Sequence, residues 1–229
     1  MKRYLLVTTN RFVLTSMVLL YSLTSSAQTT TILEDSAYIK SINERATKIV
    51  TTLQITDQAK LQKAQEMVAM QYRALNQVHE LSKGKVTGIK QSTSLSKEAQ
   101  AEAIKKEEEE KMSKLKQQHD AYIAQLKTVL TDAQVEMVKD GMTYRVLPIT
   151  YTAYQDMIPT LTETQKQQIY TWLLEAREYA MDAESSDKKH QWFGKYKGRI
   201  NNYLSSAGYD LKKEEEGWAA RRKAKAATN

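Results

Sequence analysis

Between residues 112 and 129 apolar side chains return every three or four positions: Met112, Leu115, Tyr122, Leu126 and Val129, with His119 taking one place in the series. That spacing follows the 3.6-residue turn of an α-helix and suits the seam of a helical pair. A strand, whose side chains alternate every second residue, cannot use it. The same period governs residues 35–52 (Ile39, Ile42, Ala46, Ile49, Val50, Leu53) and residues 57–81 (Leu61, Ala64, Val68, Tyr72, Leu75). Seven Gly and two Pro in 229 residues leave room for long helices. The period predicts an all-α fold: a multi-helix bundle with a long projecting helical hairpin.

The hairpin is expected over residues 57–129. Residues 82–96, with Gly84, Gly88 and many small polar side chains, read as the linker between its two helices. At the start of the second helix, Glu107 to Glu110 lie between Lys105-Lys106 and Lys111, with Glu107–Lys111 and Glu110–Lys114 four residues apart. Such a run is a solvated helix face laced by ion pairs.

The first 27 residues have a different grammar. Lys2, Arg3 and Arg11 precede an apolar run from Phe12 to Leu23, and Ser25-Ser26-Ala27 follow it. Charge, a short apolar run and small residues, in that order, mark a cleavable secretory signal. The run is shorter than the roughly 20 residues a bilayer span needs. Cleavage is expected between Ala27 and Gln28, placing the mature chain in the periplasm or outside the cell. No later segment is apolar enough to span a membrane. Removing the signal leaves 31 basic residues against 27 acidic ones, a net charge of +4. With no cysteine, the chain holds itself together by packing alone. Residues 28–229 suit one domain: the hairpin, an aromatic-rich core at 130–212 and a basic tail at 213–229.

Two helix starts share one motif. Leu130-Thr131-Asp132-Ala133-Gln134 and Leu161-Thr162-Glu163-Thr164-Gln165 both place Thr three residues before Gln. Thr caps a backbone N–H of the first turn and Gln reaches back to the N–H of the Thr, a capping box. The following helices are expected over residues 150–157, 162–184, 186–206 with Ser186 as cap, and 212–226 as a frayed, solvated end. Gly208 is expected to end the third of these.

Of fifteen aromatic residues beyond Ala27, twelve fall between Tyr144 and Trp218, so chemistry is best sought there. At 100° per residue, Phe193, Tyr196, Ile200, Tyr203 and Leu204 share a core face of one helix. Lys188, Gln191, Trp192, Lys195, Arg199 and Asn202 fall on a neighbouring stripe, and Gly194 and Gly198 on a third. A mid-helix glycine costs about 1 kcal/mol against alanine. The close approach of another backbone or of a ligand is expected to offset it. The candidate ligand-binding set is Arg177, Lys188, His190, Trp192, Lys195, Tyr196, Arg199, Asn201 and Asn202. Arginine and asparagine offer donors to hydroxyls and carboxylates, and an indole offers a flat apolar face.

Other chemistries leave no mark. His79, His119 and His190 are dispersed without metal-ligand spacing, so no metal is expected. No phosphate-cradling loop, dinucleotide fingerprint or nucleophile elbow occurs, so neither a cofactor nor a catalytic residue is assigned. Export argues against a nucleic-acid partner.

Residues 175–183 (Glu-Ala-Arg-Glu-Tyr-Ala-Met-Asp-Ala), 189–204 (Lys-His-Gln-Trp-Phe-Gly-Lys-Tyr-Lys-Gly-Arg-Ile-Asn-Asn-Tyr-Leu) and 207–210 (Ala-Gly-Tyr-Asp) resemble an uncharacterised exported all-helical family of Bacteroidota-type bacteria with which sugar binding is associated. The resemblance is sharpest over residues 161–212. It implies an envelope or secreted protein of a glycan-degrading cell, and supplies no catalytic residues. The two Leu-Thr-X-X-Gln boxes also resemble those of periplasmic stress and chaperone proteins, though the aromatic C-terminal half departs from that pattern. The leading expectation is a non-catalytic module that binds a carbohydrate or anionic envelope polymer. A chaperone-like protein acting on protein clients comes second, and a glycan-active enzyme third.

Overall fold

A computed structural model of the chain describes residues 36–227, so the expected signal sequence lies outside the described residues. Eight α-helices and one 3-10 turn, with no strand among the described residues, make the fold all-α. Helix α1 (Ser36–Val50) runs into the 3-10 turn Thr51–Leu53. Helices α2 (Gln58–Gln91) and α3 (Lys97–Lys127) form an antiparallel hairpin, and α4 (Asp132–Met142) returns to α1 and α3. Then follow α5 (Val146–Met157), α6 (Glu163–Met181), α7 (Ser186–Ser206) and α8 (Leu211–Ala227). No helix among the described residues is long and apolar enough to cross a membrane.

Two apolar cores result. One joins α1, the base of the hairpin and α4 through Ala46, Val68, Leu126 and Val138, all below 1% exposed. The other joins α5, α6 and α7 through Leu147, Ile169, Leu173, Ile200 and Leu204, each at most 4% exposed. Beyond Val78 on α2 and before Leu115 on α3, the hairpin contributes no apolar residue to either core. It is held by pairing between its own helices: Lys85 Nζ lies 2.7 Å from Glu107, and Gln100 Nε2 donates to the Ser92 carbonyl at 2.9 Å.

The expected linker at 82–96 is mostly helix. Helix α2 continues through Gly84 and Gly88 to Gln91, and only residues 92–96 turn. Pairing with α3 along its length outweighs the poor helix propensity of two glycines. Asp57 and Ser96 cap α2 and α3. Both Thr–Gln capping boxes form, at α4 and α6. The cap of α7 is Ser185 rather than Ser186, its hydroxyl accepting the Lys188 N–H at 3.2 Å.

Residues 188–202 wind as one helix within α7, as the period requires. The expected backbone approach at its glycines does not occur: a Cβ at Gly194 or Gly198 would meet nothing described within 4 Å. Both lie on the side of α7 facing away from the core, open to the outside. The glycine that does allow close packing is Gly141, where a Cβ would stand 3.0 Å from two Ile49 side-chain carbons at the α1–α4 crossing. Gly208 ends α7 with φ +94°, a left-handed conformation that favours glycine.

Helix α5 starts four residues earlier than expected, because Pro148 sits in its first turn, where the missing N–H costs nothing. The corner before it is tight: Tyr144 and Arg145 both take φ 57°. The Arg145 N–H donates to the Asp140 carbonyl at 2.7 Å, and the Tyr144 ring stacks on His190 with centroids 5.5 Å apart. The basic end of the chain also has a role: in α8, Arg221 Nη2 donates to the carbonyls of Asp156 and Met157 at 2.8 and 3.0 Å, at the C-terminal end of α5.

Candidate functional site

The hairpin and the α6–α7 pair stand side by side near the base of α3, and a cleft of about 1110 Å³ lies between them. Helices α2 and α3 supply one wall, with His79, Lys83, Lys111 and Lys116 among its side chains. The end of α6 and the start of α7 supply the other, with Tyr179, Glu184, Lys188 and Trp192. Long polar side chains hold the walls together at the bottom.

His119 is the chief of these. Its Nδ1 lies 2.9 Å from Asp182 Oδ2 and its Nε2 3.1 Å from Glu178 Oε2. Asp182 and Glu178 are one turn apart on the same face at the end of α6, so one imidazole bridges both. Hydrogen bonds to Asp182 and Glu178 push the His119 pKa up to about 9, against the opposing effect of burial. At neutral pH it is therefore an imidazolium donating from both nitrogens. Burial alone would raise the Glu178 pKa, but His119 and Lys139 hold it at about 2. His79 Nε2 must donate to the Asp182 carbonyl, 2.7 Å away, since a carbonyl only accepts. Its Nδ1 lies 3.7 Å from Glu184 Oε2.

Behind the floor the network continues into α4. Arg177, 3% exposed, donates Nη1 to Asp140 at 2.7 Å and Nη2 to Glu136. Lys139 Nζ reaches Glu178 at 3.1 Å. Lys189 points inward, its Nζ donating to the carbonyls of Met142 and Met181, each at 3.1 Å. Those carbonyls close α4 and α6, where the helix dipole favours a cation. Burial depresses the Lys189 pKa to about 8, opposed by the charge of Asp182. Lys189 therefore ties the two cores at their seam.

The residues marked in the sequence separate into three groups. Lys188 and Trp192 line the cleft. Lys195, Arg199 and Asn202 continue the same stripe along exposed α7. Lys195 Nζ lies over the Trp192 ring at 5.1 Å, and the Arg199 guanidinium lies over Trp172 at 4.5 Å and 3.7 Å from Glu175. The remaining four are engaged elsewhere. Arg177 is turned into the ion-pair network. Tyr196 is core, its pKa raised by burial and by its hydrogen bond with Glu175. Asn201 accepts the Tyr154 hydroxyl at 2.7 Å, and His190 is exposed against Tyr144. Trp192 presents no bare face, since Tyr179 stacks on it at 4.6 Å and Lys195 lies close by. Tyr179, 40% exposed, is the aromatic surface that reaches the cleft.

Sequence reasoning missed the hairpin's contribution: His79, His119 and Lys111. One signal was present: a histidine stood in the apolar series Met112, Leu115, His119, Tyr122, and a polar group on a buried seam needs a partner. No spacing rule could have named Asp182, 63 residues away. Among the described residues no cluster of three or more His, Asp or Glu is arranged to hold a metal ion.

A family model described as "Protein of unknown function (DUF3826)" matches residues 39–224. The chain belongs to the DUF3826 family. The match spans both walls of the cleft, so hairpin and aromatic half form one family unit. No curated protein matches the sequence.

Proposed function

We propose that this DUF3826 protein is a non-catalytic carbohydrate-binding module of the cell envelope or exterior, holding its ligand in the cleft between the hairpin and α6–α7. The observation that carries this reading is the mixed lining of the cleft. Ammonium groups of Lys83, Lys111 and Lys188 and carboxylates of Asp120 and Glu184 border it, with the exposed Tyr179 ring beside them. A sugar hydroxyl is both donor and acceptor, and a pyranose has an apolar face that suits an aromatic ring.

The electrostatics favour binding over cleavage. Glycoside hydrolysis needs a carboxylic acid kept protonated near neutral pH beside an ionised partner. Glu178, held near 2, cannot be that acid, and its partner Asp182 is engaged with His119. An imidazolium with both nitrogens bonded to carboxylates is neither a free base nor a ready acid. The reading also accords with the secretory signal expected from the order of charge, short apolar run and small residues over residues 1–27.

Isothermal titration against a panel of oligosaccharides tests it. At least one class should bind saturably and without product formation. Tyr179→Ala and Lys188→Ala should each weaken that binding about tenfold, the effect of losing roughly 1.4 kcal/mol, with circular dichroism unchanged. Binding untouched by both substitutions, or release of shortened sugars, would refute the proposal.

A further inference from the structure

Helix α7 carries a charge pattern that the cleft alone does not explain. From Lys188 to Tyr209 the sequence contains five lysine and arginine residues and no acidic one. Lys189 is buried, but Lys188, Lys195, Lys197 and Arg199 are exposed. The stripe begins inside the cleft at Lys188 and Trp192 and runs outward through Lys195 and Arg199. From Trp192 to Arg199 is about 10 Å along the axis at 1.5 Å per residue. Two of its cations are pre-placed by aromatic rings: Lys195 over Trp192 and Arg199 over Trp172. A cation resting on an indole gives up little side-chain freedom when it meets an anion.

Beside these cations the helix surface is stripped of side chains. Gly194 and Gly198 sit one turn apart with open space where a Cβ would be. Among the described residues nothing packs into the space that two glycines leave in the middle of this exposed helix. Gln191 and Asn202 flank them on the exposed side, offering amide donors and acceptors to hydroxyls.

We infer that the ligand is an acidic polysaccharide chain, with one end in the cleft and its continuation along the glycine-floored outer face of α7, its carboxylates or sulfates meeting Lys195 and Arg199. The inference rests on the carbohydrate reading above and adds the charge and length of the ligand. It also assigns Gly194 and Gly198 to the close approach of a polymer rather than to packing within the fold.

The test uses alginate oligomers, the same oligomers after carboxyl reduction, and anionic phospholipid vesicles as competitor, with wild-type protein and two double variants. Wild type should bind alginate at least about tenfold more tightly than the reduced chain, and high salt should shrink that margin. Lys195→Gln with Arg199→Gln should abolish the margin while leaving binding of the reduced chain. Gly194→Ala with Gly198→Ala favours the helix, so it should raise Tm while weakening alginate binding, a pair of effects that a purely structural role cannot give. Equal affinity for both oligomers would overturn the inference and leave the carbohydrate reading standing. Binding to neither would remove both. Unweakened alginate binding by the glycine variant, or vesicles competing as well as alginate does, would also overturn it.

Discussion

His119 occupies a seam position that its neighbours Leu115 and Tyr122 fill with apolar groups, and it is tolerated there because two carboxylates meet it. The pKa of about 9 in the folded chain, against an ordinary 6.5, makes the clamp pH-dependent. A group whose pKa is raised by folding stabilises fully below its unfolded pKa and loses that effect as pH rises through the folded one. The His119 contribution, on the order of 3 kcal/mol, should therefore be largest below pH 6.5 and gone above about 9. Urea denaturation of wild type and His119→Gln across that range checks it. The stability difference should narrow with rising pH, whereas a constant difference would mean that shape rather than charge matters. At this scale the sequence was legible in kind and not in partner. It showed that residue 119 was polar on a buried line, and that Lys188 and Trp192 share a stripe, because both follow from helical phase. It did not show that Arg177 and Tyr196 are buried or that Asn201 is taken up by Tyr154, since Asp140, Glu175 and Tyr154 reach them from other helices.

Helix starts read well because their signals are local. Thr131–Gln134 and Thr162–Gln165 close as capping boxes with bonds spanning only three residues. Thr162→Ala should cost about 1 kcal/mol, visible as a lowered midpoint in thermal melts. Glycines read poorly because their meaning depends on what stands opposite. Gly84 and Gly88, taken as a linker, lie within α2, whereas Gly141 gives Ile49 its place against α4. Gly141→Ala must push Ile49 aside and should destabilise by about 1–3 kcal/mol. Gly194→Ala meets open space and should stabilise by up to about 1 kcal/mol, so the two alanine variants are expected to move Tm in opposite directions. Equal effects would contradict the placement of both glycines. The end of the chain was likewise half legible: its basic character was plain, but Arg221 reaching the α5 carbonyls depends on contacts across more than 60 positions.

At the scale of the molecule, two cores meet along a polar seam rather than fusing into one. Lys189, Arg177, His119 and His79 cross that seam, and the cleft opens where the hairpin and the α6–α7 pair are joined by side chains. Periodicity alone could foresee the helices and the hairpin. It could not foresee the cleft, which exists only because helices distant in sequence stand side by side. The central claim is that this cleft, continued along α7, is where a carbohydrate sits. Backbone amide NMR during titration with the tightest-binding oligosaccharide reports on it most directly. Shifts are expected at Lys111, His119, Tyr179, Lys188 and Trp192, extending to Lys195 and Arg199 as the oligomer lengthens. Shifts confined to the hairpin tip or to α8, with those residues unmoved at saturation, would contradict the account.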